Sequence, residues 1–152
     1  MLYAEIAALA NDGTSRAICI SDGTNTHRAL ILYNATTNQI QAFHNDGSTP
    51  LSLFHTVSNV DDFHKVAFKY KLNDFALWVN GTERATDLSG SLPTSLTNLN
   101  FNSGGGGNPF YGKVQNLALF PTALSDADLE YLTGTSYNSY ELMAADLGYT
   151  VL

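Results

Sequence analysis

The run His64-Lys65-Val66-Ala67-Phe68-Lys69-Tyr70-Lys71-Leu72-Asn73-Asp74-Phe75-Ala76-Leu77-Trp78-Val79-Asn80-Gly81 decides the fold. Apolar residues alternate with lysines up to the polar pair Asn73-Asp74, and a second apolar stretch follows, the pattern of a β-hairpin. A two-residue turn at Asn73-Asp74 sets Leu72 against Phe75, Tyr70 against Leu77 and Phe68 against Val79, so six apolar side chains share one face. The other face carries Ala67, Lys69 and Lys71 opposite Asn80, Trp78 and Ala76. A slip of one residue would scatter these sets, so the pattern specifies the register. Trp78 then stands on the face turned away from the core, with Lys69 directly opposite.

Outward from this hairpin, alternation and turn signals read as β-structure up to residue 120. The strands expected are Leu2–Ala8, Arg16–Ser21, Arg28–Tyr33, Ile40–His44, Leu51–His55, His64–Leu72, Phe75–Val79, Leu96–Asn102 and Lys113–Phe120. Asn11-Asp12-Gly13, Ser21-Asp22-Gly23, Asn45-Asp46-Gly47, Asn73-Asp74 and Asn80-Gly81 punctuate them. Strands at this spacing with no helices between them imply antiparallel pairing in a sandwich or jelly roll. In the last strand Val114 is apolar on one parity, Leu117 and Leu119 on the other, so a β-bulge is expected near Gln115-Asn116. Two short helices should follow. Ser125 caps the first, with Asp126 and Asp128 in its first turn and Gly134 past its end. The second runs from about Ser139 to before Gly148, and Tyr149–Leu152 could add an extended segment. The reading is one all-β domain over residues 1–152, with a helical coda at 125–148.

Composition narrows function. Of 152 residues 14% are charged, against roughly 25% in a typical chain, and Asn, Thr, Ser and Gly supply the polarity. A net charge of −7 argues against nucleic acid, whose binding rests on clustered Lys and Arg. No apolar run is long enough to span a bilayer, and the N-terminal residues lack a signal-like pattern. Cys19 is the single cysteine, in the apolar run Ala17-Ile18-Cys19-Ile20, and reads as a strand residue with no disulfide or thiolate metal site.

Phe63-His64-Lys65-Val66-Ala67-Phe68, Leu77-Trp78-Val79-Asn80-Gly81, Phe110-Tyr111-Gly112-Lys113-Val114 and Thr122-Ala123-Leu124-Ser125-Asp126 follow one another in an order that resembles the concanavalin A-like, laminin-G-like jelly-roll domains. The resemblance covers roughly residues 63–132. It implies a sandwich of two curved antiparallel sheets that binds glycans or proteins. The Asn/Thr/Gly-rich texture and the 140–152 tail are similar to domains at the ends of phage tail-fibre proteins. Polysaccharide-cleaving relatives carry an E-x-D-x-x-E-like strand. Glu5, Glu83, Glu130 and Glu141 form no such set, and glycosidic cleavage needs two carboxylates across one bond. No catalytic residue is expected.

The candidate ligand-binding residues are Trp78, Lys69, Asn102 and Asn108. An exposed Trp78 would stack on a sugar ring beside the Lys69 donor; the alternative is that a loop or the C-terminal helices cover it. The loop Asn102-Ser103-Gly104-Gly105-Gly106-Gly107-Asn108 offers backbone N–H groups and amide side chains; the alternative is a mobile connection. Calcium is considered because some relatives carry a rim calcium; Asp22-Gly23 and Asn45-Asp46-Gly47 offer oxygens, but Asx-Gly turns account for both. His27, His44, His55 and His64 have no zinc-like spacing, and His64 reads as structural. No cofactor or metal is assigned. The function expected is a non-catalytic module of a phage fibre or other virion protein contacting host cell-surface glycan. The alternative is a structural, decoration or assembly domain acting through protein contacts. Localisation would be the virion or otherwise extracellular, with a homo-oligomer, a trimer in a fibre, as the fitting assembly.

Overall fold

A computed structural model describes residues 1–134 together with Ala144, Ala145 and Gly148. Among these residues the strands are β1 (Leu2–Ala8), β2 (Arg16–Ser21), β3 (His27–Tyr33), β4 (Gln39–Asp46), β5 (Leu51–Thr56), β6 (His64–Lys71), β7 (Asp74–Val79), β8 (Thr82–Asp87), β9 (Asn98–Asn100) and β10 (Gly112–Leu119), followed by the helix α1 (Asp126–Gly134). Two five-stranded antiparallel sheets result, ordered β10-β1-β6-β7-β8 and β5-β4-β3-β2-β9. Their inner faces meet in one core that includes Leu2, Ile6, Ile18, Ile31, Ile40, Phe68, Phe75 and Leu77. The fold is the expected sandwich. Of the two helices expected, α1 is present; the second, and the closing extended segment, lie outside the described residues apart from Ala144, Ala145 and Gly148.

The hairpin register differs from the expected one by two residues. Phe68 pairs with Leu77, Tyr70 with Phe75 and Lys71 with Asp74, so Leu72 and Asn73 form the turn. Asn73 supplies the left-handed conformation, φ 55°, which its short polar side chain tolerates better than leucine. Leu72 is therefore 59% exposed and no part of the core. A shift of two preserves parity, so Phe68, Leu77 and Val79 still face inward. Opposite Trp78 stands Ala67, and Lys69 pairs with Ala76. Lys69 and Trp78 still share the outer face, but diagonally.

The bulge lies where alternation breaks. Glu5 pairs with Asn116 and Ile6 with Val114, which leaves Gln115 as the extra residue. β8 is an unexpected strand. Its residues Thr82-Glu83-Arg84-Ala85-Thr86-Asp87 are mostly exposed, so an edge strand with little apolar alternation gives no hydrophobic signal. Asn80 and Gly81, both at positive φ, form the tight turn that feeds it. Asn80 also explains His64. Its Oδ1 accepts from Lys65 N at 2.9 Å, which leaves its Nδ2 to donate to His64 Nδ1 at 3.0 Å. His64 Nε2 then donates to Asn59 O at 2.9 Å. These partners fix the orientation of the ring, and the role is structural.

Leu77 is fully buried between the sheets. Leu77→Ala is expected to lower the unfolding free energy by about 2–5 kcal/mol, measured by urea denaturation. His44 is buried against Phe75, ring centroids 4.7 Å apart, with both ring nitrogens unpartnered. Burial lowers its pKa, outweighing the opposing charges of Asp46 and Asp87. The unfolded chain then binds more protons below about pH 6.5, so stability falls as pH drops from there. His44→Phe should show a shallower loss of melting temperature between pH 7 and pH 5 than the wild type.

Candidate functional site

The four residues singled out in the sequence do not form one surface. Trp78 and Lys69 lie on the outer face of the β10-β1-β6-β7-β8 sheet, and the 102–108 loop lies against the outer face of the other. The reading of Trp78 as an exposed platform is corrected: it is 6% exposed. It packs with Tyr3, Ala67, Ala76, Phe120, Leu129 and Leu132 beneath α1. The sequence starts that helix well: Ser125 Oγ accepts from Asp128 N at 3.2 Å and donates to Asp128 Oδ2 at 2.6 Å. Lys69 is buried as well. Its Nζ meets Asp74 Oδ1 and Asp126 Oδ1, each at 2.8 Å, and fastens the helix start to the sheet. Burial alone would lower the Lys69 pKa, but the hydrogen bonds to Asp126 and Asp74 outweigh it, and the net direction is upward. Lys69 is thus committed within the protein.

The glycine-rich loop is docked rather than loose. Ser103 N donates to Gly107 O at 2.7 Å, Gly104 N to Asn102 Oδ1 at 2.7 Å, and Gly105 N to Asn25 Oδ1 at 3.1 Å. Ala17 N donates to Asn108 O at 3.1 Å, so the loop leaves along β2. Gly104, at φ 97°, sits where a Cβ would lie 2.7 Å from Thr24 O, and a Cβ on Gly105 would lie 2.5 Å from the Asn25 side chain. Glycine is required for that approach.

Beside this loop the structure assembles a cleft that the sequence reading missed. Strand alternation puts Arg28, Leu30 and Leu32 of β3 on the outer face, opposite Asn45, Phe43 and Gln41 of β4. With Ser103 and Asn108 of the loop, Arg28, Leu30, Leu32, Gln41 and Phe43 line a cleft of about 190 Å³. Leu30 and Leu32 form its apolar floor and pack in one cluster with Ala17 and Cys19, with Phe43 against them. Phe54 of β5, 46% exposed, pairs with Gln41 on the neighbouring strand. Arg28 Nη1 donates to Asn25 Oδ1 at 2.7 Å and to Ser103 O at 2.6 Å, and its guanidinium carbon lies 5.0 Å from the Phe43 ring centroid. Burial pushes the Cys19 thiol in that cluster up to about 12, so it stays protonated. The missed signal was the run Ala29-Leu30-Ile31-Leu32-Tyr33, apolar on both parities, which implies a strand with two partly covered faces. Among the described residues no group of three His, Cys, Asp or Glu is placed to hold a metal ion.

The chain belongs to the concanavalin A-like lectin/glucanases superfamily, whose model matches residues 3–130. No curated protein matches it. The CBM40 of the Ruminococcus gnavus IT-sialidase, solved with α2,3-sialyllactose, matches with a TM-score of 0.70 at 15% identity, over 88% of this chain and 81% of that one. A leech intramolecular trans-sialidase complexed with 2,7-anhydro-Neu5Ac matches with a TM-score of 0.70 at 19% identity, over 91% of this chain but 24% of that one. Domains LG4-5 of the mouse laminin α1 chain match with a TM-score of 0.58 at 11% identity, over 83% and 36%. This chain therefore spans about a quarter of the leech enzyme. At these identities the likeness is one of fold.

Because Trp78 is packing, Trp78→Ala is expected to destabilise the domain by about 3–5 kcal/mol. A thermal melt within a few degrees of the wild type would contradict its burial under α1.

Proposed function

We propose that this domain is a non-catalytic module that binds cell-surface glycan in the cleft between β3, β4 and the 102–108 loop. The carrying observation is the arrangement of the cleft itself: the Phe43 ring and an apolar floor beside an arginine, with amides at Gln41 and Asn108. Sugars present apolar C–H faces and hydroxyls together, and such a site meets both. The bound sialyllactose of the CBM40 relative and the fold shared with it support the class of ligand. A binding role rather than hydrolysis is supported by the carboxylates. Glu5 accepts from Asn116 Nδ2 at 2.6 Å, Glu83 lies on the edge strand and Glu130 on α1; none lines the cleft.

The finer reading is a receptor-contacting domain of a phage fibre or other virion protein. It draws on the Asn/Thr/Gly-rich, weakly charged surface and on the sequence resemblance to tail-fibre ends. A glycan array, followed by calorimetry on the strongest hit, tests the module reading. Phe43→Ala is expected to weaken that hit by about 1–3 kcal/mol while the melting temperature changes little. Undiminished binding by Phe43→Ala would move the site elsewhere. An array without hits would favour the assembly role, acting through protein contacts.

A further inference from the structure

We propose that the cleft selects a sugar bearing a carboxylate, whose planar anion docks on the Arg28 guanidinium; this rests on the glycan-binding reading above. The argument starts from how this protein treats its other buried cations. Arg16 is neutralised by Asp12 at 2.9 Å, and Lys69 by Asp74 and Asp126 at 2.8 Å. Arg28 is partly buried, yet none of the ion pairs among the described residues includes it. Its two protein acceptors, Asn25 Oδ1 and Ser103 O, are neutral and both use Nη1. Nη2 carries no hydrogen bond, and Nε is buried without a partner.

A partly desolvated cation without a counter-ion gains more from an incoming anion than a solvated one does, because local screening is weak. Arg28 is also held in place before any ligand arrives, by the docked loop on one side and the Phe43 ring on the other, so little side-chain freedom remains to be lost on binding. Nη2 is the donor left to meet the carboxylate, because Nη1 is taken by Asn25 and Ser103 and Nε is buried. A lysine has no second nitrogen to be held by those acceptors while another faces the ligand, so arginine suits the site where lysine does not. A single cation lines the cleft, which suits a monoanion better than a phosphate dianion. At about 190 Å³ the cleft lies below the roughly 300 Å³ at which pockets for drug-sized ligands begin, so a terminal sugar unit fits better than an internal stretch of chain.

The test is calorimetric titration of the wild-type domain with 3′-sialyllactose, digalacturonate, the neutral parent lactose and galactose 6-sulfate, at 50 and 300 mM NaCl. At least one carboxylated probe is expected to bind tenfold or more tightly than lactose, with the ratio shrinking at the higher salt; which of the two binds separates a sialic from a uronic acid source. Arg28→Met should abolish the ratio, and Arg28→Lys should keep no more than a tenth of the wild-type affinity. If Arg28→Met fails to fold, the wild-type ratio and Arg28→Lys still decide. Equal binding of lactose and the acidic probes, or a preference for the sulfate, overturns this inference and leaves the glycan-binding reading standing. So does an array on which only uncharged glycans bind and lose affinity in Phe43→Ala. An array with no hits at all overturns both.

Discussion

Both faces of the central hairpin are covered, and the rest of the molecule is arranged around that constraint. One face of β6 and β7 enters the core with Phe68 and Leu77; the other carries Ala67, Ala76 and Trp78 under α1. The alanines matter as much as the tryptophan. Small side chains beside a large one let a helix lie close to a sheet without voids, at the density protein interiors require. The helix is then secured at both ends. Lys69 holds Asp126 at its start, and near its end Gly81 N donates to Thr133 Oγ1 at 3.0 Å. A sheet closed on one outer side in this way leaves the proposed ligand cleft to the outer face of the other sheet.

The residues told most where packing was one-sided and least where it was two-sided. The bulge at Gln115 was legible because Val114 and Leu117 cannot share a face without an extra residue between them. The inward set Phe68, Leu77 and Val79 was legible from period two alone. The register was not, because moving the turn by one residue shifts the pairing by two and keeps every parity, and the choice rests on which residue tolerates positive φ. Asn73 does so more readily than Leu72, a preference that polarity patterns do not express. β8 was invisible for the opposite reason: an exposed edge strand buries too little to leave a hydrophobic trace.

The candidate site was legible in part. Of the residues singled out, Asn108 lines the cleft, together with Ser103 of the same loop, and Asn102, Trp78 and Lys69 do not. Trp78 was placed on the correct face, and its cover by a C-terminal helix is the alternative the sequence left open, because alternation reports which side of a strand a residue takes, not whether another element later covers that side. Arg28 and Phe43 were overlooked because neither belongs to a motif; they become neighbours through cross-strand pairing, with Leu30 opposite Phe43 one position along. A site built on two strands has no local sequence signature.

The close seating of Gly104 and Gly105 against the β2–β3 turn limits how such a site can diversify. In many recognition proteins new specificities arise by varying loop side chains over an unchanged framework. Here the loop backbone is wedged where Thr24 and Asn25 leave no space for a β-carbon, so substitutions there would unseat the wall instead of re-tooling it. Variation that leaves the Gly104 seat intact is open at outward positions of the strands, such as Gln41, Phe43, Ser52 and Phe54, whose exchange leaves the backbone untouched. A library built on this scaffold for a chosen ligand would randomise the strands and hold the Gly104 seat constant.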